Sequence, residues 1–372
     1  MGITASPSFP RLDAERMHQR LTPPSGPARV LIDTDAANEI DDQFAIAWAL
    51  LSQDRLAVEA VTAAPFSFAH HRQGLLAAEA RLDAHARGDA IDEQLAGGFQ
   101  GWVERLHRTG RRAADLEFCG PDEGMERSYQ EILRVFDMVG VARGGRVVRG
   151  ATSYLTDLDA PRSSPATEAI VDLAKSGDPP LYVVAIGCIT NVAAALLRAP
   201  EIVRDIVVVW TSAYPSSAPH CNRPSMNLVQ DPLASRLIFD CGVPHVYLPG
   251  YHVGAQLRIS KPEMEAFVRG RSAIGDYLYG LYANNPLHEM FAIEDAGRRT
   301  WVIWDIINIA WLLNPDWVPT FLTPSPVLTE ALFWRPAPDC HLMREAYDVQ
   351  RDDIFIDLYD RIAHAPCEVP LA

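Results

Sequence analysis

Largely apolar runs recur along the chain, and each predicts a strand; the first of them is uninterrupted and predicts a strand that is buried on both faces. These runs are rich in Val, Ile and Leu and occupy residues 30–32, 56–64, 181–186, 206–211 and 245–248. Between them, apolar positions repeat with the spacing of amphipathic helices. The helical patterns cover residues 70–87, 190–198 and 232–240. Strands that alternate with helices predict an α/β protein with an open, mostly parallel, Rossmann-like sheet, right-handed crossovers and flanking helices.

The ends of the chain set the expected domain boundaries. Residues 1–27 are rich in Pro, Ser and Arg, and we predict a flexible leader there. Residues 28–372 show no internal repeat and no clear linker, which predicts a single domain. The segment 88–116 is expected to form a lid over the active site or a subunit contact. Further helices are predicted at residues 124–139, 165–175, 261–269, 274–282, 301–313 and 355–363.

Composition limits the classes of partner. The 372 residues are 48% hydrophobic, which is enough for a sizeable core, and no apolar run reaches membrane-spanning length. A net charge of −15 argues against nucleic acid or an anionic membrane and leaves a neutral small molecule as the expected partner. The six cysteines show no CxxC spacing. Together with the lack of a visible secretory signal, this predicts reduced thiols in a cytoplasmic protein.

Acidic residues cluster directly after the first predicted strand. They are Asp33, Asp35, Glu39, Asp41 and Asp42, and a helical stripe begins at Asp41. Open α/β folds bind ligands where a strand hands over to a helix at the carboxyl edge of the sheet. Like charges this close repel, and oxygen ligands favour Ca²⁺ or Mg²⁺ over zinc. The alternative is a solvated turn that complements the helix dipole, which explains Asp41 and Asp42 but not Asp33 and Asp35.

Several motifs resemble, in content and order, those of the inosine/uridine-preferring nucleoside hydrolases. They are Asp33-Thr34-Asp35 with Asp41-Asp42, the segment Ala185-Ile186-Gly187-Cys188-Ile189-Thr190-Asn191, Asn227 ahead of Asp231-Pro232, and Trp304-Asp305. The resemblance covers roughly residues 28–320 and implies the nucleoside hydrolase fold. It identifies the chain as a divergent member with the variant Asn38-Glu39-Ile40-Asp41-Asp42. Relatives with this variant often share a segment matched here by Gly124-Met125-Glu126-Arg127-Ser128-Tyr129.

The resemblance also implies a metal site and a reaction. One Ca²⁺ would be bound by Asp35, Asp42, Asp305 and the backbone carbonyl of Ile186, and Asp33 would support the cluster from behind. Asp41 would be the general base that activates a metal-bound water against the sugar C1′. The implied activity is hydrolysis of the N-glycosidic bond of a ribonucleoside in purine salvage, by a homodimer or homotetramer.

Recognition of the base and sugar departs from the family pattern. Trp304 occupies the position of a histidine in the uridine-tolerant branch, so we expect it to stack on a purine or modified base, although it could equally belong to the core. Asn227 matches the asparagine that binds ribose hydroxyls. The family's glutamate is replaced by Ser225, and its Gly-Asn by Ala64-Pro65. Asn38 is expected to replace the missing asparagine and Asn222 to reach the 5′ side, unless both are ordinary turn residues.

Two other classes of protein remain open at this stage. Aspartate-nucleophile phosphohydrolases also place Asp-x-Asp after the first strand, but they need a later lysine, and neither Lys175 nor Lys261 has suitable neighbours. A non-catalytic nucleoside- or sugar-binding protein of the same fold is the stronger rival, because the recognition residues have diverged. The presence of Asp41 favours catalysis, since a binding protein needs the metal ligands but not the base.

Overall fold

The computed structural model describes residues 8–88, 98–159 and 163–368, and these contain one large sheet with two small ones. The large sheet has eight strands in the order β3-β2-β1-β4-β5-β6-β12-β9. Its strands are parallel except for β9, which pairs antiparallel with β12. In chain order the strands are β1 Ala28–Thr34, β2 Leu56–Ala63, β3 Val147–Val148, β4 Leu181–Ala185, β5 Ile206–Ser212, β6 His245–Pro249, β7 Arg258–Ile259, β8 Trp301–Val302, β9 Thr320–Pro324, β10 Val327–Leu328, β11 Trp334–Arg335 and β12 Leu342–Ala346.

Helices cover both faces of this sheet. In chain order they are α1 Ala14–Leu21, α2 Asp41–Leu51, α3 Arg72–Ala86, α4 Gln100–Arg108, α5 Pro121–Val139, α6 Pro165–Lys175, α7 Thr190–Arg198, α8 Met226–Val229, α9 Pro232–Asp240, α10 Lys261–Glu263, α11 Ala273–Ala283, α12 Pro286–Met290, α13 Ile306–Leu313 and α14 Arg351–Ala363. The helices α2, α5, α11, α13 and α14 pack on one face, and α6, α7 and α9 pack on the other. The predicted open, mostly parallel α/β sheet flanked by helices is confirmed.

Short helical turns complete the connections. A π-helix at Met264–Val268 continues α10, and 3₁₀ turns lie at Ala69–His71, Ala113–Asp115, Pro200–Arg204, Gly254–Gln256, Ala296–Arg298 and Pro315–Trp317. None of the helices in the described ranges combines the length and apolarity that a bilayer-spanning helix needs.

Local sequence explains several helix ends. Asp231 caps α9, because its side chain accepts a hydrogen bond from the Ala234 N–H, and Pro232 follows as the first helical residue. Ser164 and Pro165 begin α6 in the same way. The helix α5 ends at Gly140, whose φ of 74° is the left-handed conformation that glycine adopts at low cost. The predicted bounds of α6 and α9 match the structure for this reason, and those of α7 match as well although no side chain caps its first turn.

The described part of the N-terminal segment, which was predicted as a flexible leader, contains a helix. The helix α1 lies within it, and Met17 and Leu21 on that helix are buried. The Leu21 carbonyl accepts a hydrogen bond of 2.6 Å from Arg344 Nε on β12. The proline-rich residues before β1 suggested a flexible leader, but a short amphipathic helix needs only a few apolar positions to pack beside β12, the neighbour of the edge strand β9.

The predicted helix at residues 301–313 is also different. Trp301 and Val302 form the strand β8, which pairs antiparallel with β7, and the helix α13 begins only at Ile306. Helical spacing of Trp301 and Trp304 suggested one helix, but pairing with a distant strand overrides local periodicity. Of the segment predicted as a lid or subunit contact, residues 89–97 lie outside the described residues. Its later part contains α4, where Trp102 packs against Phe291.

Candidate active site

A cavity of about 430 Å³ opens at the carboxyl ends of β1, β4 and β5. The strand order reverses between β1 and β4, so this is the switch point at which open α/β sheets form a crevice. The acidic segment after β1 forms its floor, and the residue after β4, Ile186, borders it. The polar residues that line it, apart from the aromatic Tyr and Trp side chains, are Asp35, Asn38, Glu39, Asp41, Asp42, His71, Thr211, Ser212, Ser225, Asn227, Arg258, Thr300 and Asp305.

Three buried carboxylates meet at this floor. Asp41, Asp42 and Asp305 each offer an oxygen, and these oxygens lie within 4.8 Å of one another. Asp41 and Asp42 are the first residues of α2, and Asp305 immediately precedes α13. Burial raises the pKa values of Asp42 and Asp305 well above the ordinary value for aspartate, and the neighbouring carboxylates raise them further. A cation would relieve this repulsion.

Buried carboxylate oxygens without hydrogen-bond partners also indicate that this site can hold a cation. Among the described residues, both carboxylate oxygens of Asp35 and Oδ2 of Asp42 are buried and have no hydrogen-bond partner. The other oxygen of Asp42 accepts a short hydrogen bond from the Thr34 hydroxyl, which fixes its orientation. Buried carboxylates are costly unless they are paired or coordinate a metal. An all-oxygen donor set fits a hard divalent cation.

Asp33 lies behind the cavity and does not line it. Its Oδ1 accepts hydrogen bonds from Thr62 Oγ1 at 2.6 Å and from Asn191 Nδ2 at 2.8 Å. Burial raises the pKa of Asp33 to about 6, although these two hydrogen bonds lower it. Asp33 thus ties β1 to β2 and to α7, which is the geometry expected of a residue that supports the cluster from behind.

Asn227 and Ile186 are brought together beside the acids. Asn227 Nδ2 donates to the Ile186 carbonyl at 3.2 Å and to the Thr211 carbonyl at 3.1 Å. The amide nitrogen is therefore used within the protein, and the side-chain oxygen of Asn227 is the atom left for a ligand. The same hydrogen bond reaches the carbonyl that was predicted as a metal ligand.

The two other asparagines predicted for the sugar have different positions. Asn38 lines the cavity, and its side-chain oxygen has no partner among the described residues. Asn222 does not line the cavity. Its side-chain oxygen accepts from the Tyr214 N–H at 3.0 Å, and its own N–H donates to the Leu332 carbonyl. These local hydrogen bonds hold Asn222 inside its loop, outside the lining of this cavity, and its contact with the 5′ side of a substrate stays a prediction.

Aromatic side chains form one wall of the cavity. Trp304 lines it and meets Tyr251 edge to face, with 5.7 Å between ring centroids. Trp301 lines the same wall, whereas Trp311 is fully buried in the core and packs near Tyr182. The break before α13 turns Trp301 and Trp304 toward the cavity, and the stacking of Trp304 on a base stays a prediction.

Two residues at or beside this site, Glu39 and Gln230, were not assigned a role from the sequence. Trp301 Nε1 donates to Glu39 Oε1 at 2.8 Å. Glu39 belongs to the acidic segment, so its presence was visible in the sequence, but its partner lies on β8, a strand without a local signal. Gln230 was also missed. Its Oε1 accepts from the Ser67 N–H at 2.7 Å, and its side chain lies near enough to Asp35 to lower the pKa of that carboxyl against the effect of burial, which raises it.

The fold and the site define an α/β protein with an acid cluster that can hold a metal ion at the switch point of its sheet. Residues 30–351 match the family described as inosine-uridine preferring nucleoside hydrolase. The chain belongs to this family, and the resemblance inferred from the motifs is confirmed.

Curated relatives and solved structures agree with this assignment. The chain is 30% identical over 160 residues to a non-specific ribonucleoside hydrolase of Shigella flexneri serotype 5b, covering 42% of this chain and 49% of the relative. It is 28% identical over 169 residues to a pyrimidine-specific ribonucleoside hydrolase of an Enterobacter species, with the same coverage. The chain thus spans about half the length of these curated relatives. A purine-preferring ribonucleoside hydrolase from Gardnerella vaginalis shares the fold, with a TM-score of 0.57, 17% identity and coverage of 90% and 98% of the two chains.

Proposed function

We propose that this protein hydrolyses the N-glycosidic bond of a ribonucleoside, with a purine or modified base favoured. The observation that carries the proposal is the group formed by Asp41, Asp42 and Asp305 at the floor of a cavity large enough for a nucleoside. The aromatic wall beside these acids offers a surface on which a base can stack. A protein that only bound sugars would have no need of a further carboxylate next to the ligands of the ion.

Asp41 is the general base of this proposal. It lies at the start of α2 with an oxygen within 4.8 Å of oxygens of the other two acids of the group, and burial raises its pKa above the ordinary value for aspartate. A carboxylate with a raised proton affinity is a better acceptor near neutral pH than a solvated one. Asp41 would accept the proton of the water that attacks the sugar C1′.

Asp35, Asp42, Asp305 and the Ile186 carbonyl would hold one Ca²⁺. The ion, when bound, would lower the pKa of a water and orient the ribose hydroxyls. Thr34 fixes Asp42 through its hydroxyl, and Asn227 donates to the Ile186 carbonyl, so the protein positions these groups before any ligand binds. The free oxygens of Asn227 and Asn38 are the proposed contacts for the ribose.

Trp304 is the proposed stacking partner of the base. Stacking on an aromatic side chain contributes about 1–3 kcal/mol per base and tolerates different bases. A purine offers the larger stacking surface and a ring nitrogen that accepts a proton, which is the basis of the proposed purine preference. The resemblance to the family further supports a cytoplasmic homodimer or homotetramer that acts in purine salvage, and the mass in solution would test the assembly.

The experiment is a panel of purine and pyrimidine nucleosides assayed for free ribose, with Ca²⁺, with Mg²⁺ and with a chelator. We expect turnover that depends on the added ion and is at least ~10²-fold lower in Asp41→Ala, the usual scale for loss of a general base. The matched control is Asp360→Ala, which removes an exposed acid on α14. Tight nucleoside and Ca²⁺ binding without turnover would support the non-catalytic alternative, and wild-type turnover in Asp41→Ala would remove that residue from its role.

A further inference from the structure

Glu39 is a carboxylate of the cavity that the proposed metal site does not use. It lines the cavity, yet it is not part of the group formed by Asp41, Asp42 and Asp305. It is partly exposed, whereas Asp35, Asp42 and Asp305 are buried. Glu39 therefore lies nearer to the mouth of the cavity than the acids that would hold the ion.

Two tryptophans hold Glu39 in place. Trp301 Nε1 donates to its Oε1 at 2.8 Å, and the side chain of Trp304 is also placed to donate a hydrogen bond to it. An ionised carboxylate has about four acceptor sites, so these two donors leave capacity for a further donor. Glu39 and both indoles line the same cavity, so that capacity lies beside the aromatic wall on which a base would stack.

The base that leaves a nucleoside receives the electron pair of the broken bond, so the enzyme has to keep it from carrying a full negative charge. The C1′–N bond breaks with its electron pair going to the base nitrogen, and the base takes up one proton from solvent. The attacking water forms the bond to C1′ and gives a proton to Asp41, so one water is consumed overall. A protonated purine carries positive charge and an additional N–H donor before the bond breaks. An indole can stack on this ring but has no negative charge to offer it.

We propose that Glu39 is a catalytic residue that accepts a hydrogen bond from an N–H of the departing base and compensates its positive charge. Trp301 is its positioning residue. This inference rests on the proposed function, because it concerns the leaving group of that reaction. The carboxylate is fixed before the substrate binds, which is the condition under which an electrostatic contact lowers the barrier without reorganisation.

The test compares two leaving groups. Purine ribonucleosides need charge compensation on the base, whereas 4-nitrophenyl riboside releases a stable phenolate that needs no proton. Glu39→Gln keeps the size of the side chain and removes its charge. We expect it to lower the kcat on inosine and adenosine about 10- to 100-fold, the range of a hydrogen bond to a charged group. Its kcat on the nitrophenyl substrate should change little by comparison.

Trp301→Phe removes the indole N–H and should change the ratio of the two kcat values in the same direction, by less. The matched control is Trp48→Phe, which loses an indole–carboxylate hydrogen bond of 2.7 Å to Asp357, outside the cavity. That control should leave the ratio unchanged. If Trp301→Phe lowers both kcat values equally, Trp301 is merely structural and its positioning role is wrong.

Four results would overturn the role of Glu39. One is an equal loss on both substrates in Glu39→Gln, which would place the residue at the sugar. Another is a weaker Ca²⁺ affinity by calorimetry in the same variant, which would make it a metal ligand. The third is a wild-type enzyme that cleaves neither substrate, which would overturn the proposed function as well. Wild-type cleavage of both with no effect of Glu39→Gln would overturn the role of Glu39 alone.

Discussion

Gly187 lies directly against Asp35: a Cβ atom at position 187 would come within 2.7 Å of the Asp35 carboxyl carbon and 2.9 Å of its backbone nitrogen. Real Cβ atoms do not approach other atoms so closely, so any residue other than glycine at position 187 would displace Asp35. Asp35 follows β1, and Gly187 follows β4, which are the two strands at the switch point. The contact therefore fixes the position of the Asp35 carboxylate relative to the Ile186 carbonyl, and both are proposed metal ligands.

The first prediction concerns this contact. Gly187→Ala should displace Asp35 and lower the affinity for Ca²⁺ by about 10- to 100-fold, the usual cost of disturbing a group that orients a metal ligand. Calorimetric titration with Ca²⁺ measures this. The control is Gly280→Ala on α11, where a Cβ would meet nothing within 4 Å. Alanine in a helix should stabilise by about 0.5–1 kcal/mol there, and metal affinity in Gly187→Ala equal to that of the control would contradict the prediction.

The second prediction is that Asp42→Asn stabilises the fold relative to the wild type without metal and destabilises it when Ca²⁺ is present. Without metal, Asp42 is buried among like charges and one of its oxygens has no partner among the described residues, so the neutral amide should stabilise the fold. The expected gain is roughly 0.5–3 kcal/mol, the range of single substitutions. With Ca²⁺ at about 100 times its Kd, the wild type gains about 2.7 kcal/mol, which the variant with its weaker site should largely lose.

The melting temperatures of the variant and the wild type, measured with chelator and with excess Ca²⁺, test both effects. The variant should melt above the wild type in the first condition and below it in the second. Asp360→Asn, which changes an exposed acid, should melt like the wild type in both. A variant less stable than the wild type in chelator would mean that the Asp42 charge is already compensated within the protein.

The acids of the site were predictable because the chain keeps them next to strong local signals. Asp35 and Asp42 flank the junction between an apolar strand and an apolar helix, and Asp305 precedes another apolar helix. The first junction lies at the carboxyl edge of the parallel sheet, so the sequence alone brings Asp35 and Asp42 near one another. Asp305 follows β8 of a small antiparallel sheet, and only the family resemblance predicted it beside them. The bounds of α7 and α9 were predictable for a related reason, since helical spacing and end residues are local properties.

The parts that escaped prediction depend on distant contacts. Trp301 looked helical, and only pairing with Ile259 on β7 places it in a strand that faces the cavity. Glu39 appeared as one more acid, and its role depends on that same misread segment. Asn222 and Asn38 are both asparagines in segments that are typical of turns. Hydrogen bonds to Tyr214 and Leu332, which the sequence does not reveal, keep Asn222 inside a loop. Periodicity has no information about which distant strand a segment will join.

The third prediction concerns pH and His245, a buried residue of β6. Among the described residues neither of its ring nitrogens has a hydrogen-bond partner, and burial, together with nearby His341, lowers its pKa from 6.5 to about 3. In the unfolded chain the imidazole takes up a proton as pH falls below 6.5, whereas in the folded state it stays neutral. Stability should therefore fall as pH decreases from 6.5 toward 3, by about 2 kcal/mol at pH 5.

His245→Phe should reduce this slope. The ring would remain among Trp210, Phe239 and Tyr247, whose centroids lie 6.3, 4.9 and 5.8 Å from that of His245. Urea unfolding at pH 7 and pH 5 gives the difference in stability for each protein. His18→Gln, at an exposed position of α1, serves as the control and should keep the wild-type slope. An unchanged slope in His245→Phe would show that other groups cause the acid sensitivity.

The last prediction separates the base end of the site from its metal end, because Trp304 and Asp305 are neighbours in the chain with different proposed partners. If Trp304 stacks on the base, Trp304→Ala should lower purine kcat/KM by about 5- to 100-fold, the equivalent of ~1–3 kcal/mol, and leave Ca²⁺ affinity nearly unchanged. Trp304→Phe keeps an aromatic face and should recover part of the loss. Asp305→Asn should show the opposite pattern, with weakened Ca²⁺ binding. A uridine preference that survives Trp304→Ala would refute the stacking role, since the residue would then not discriminate between bases.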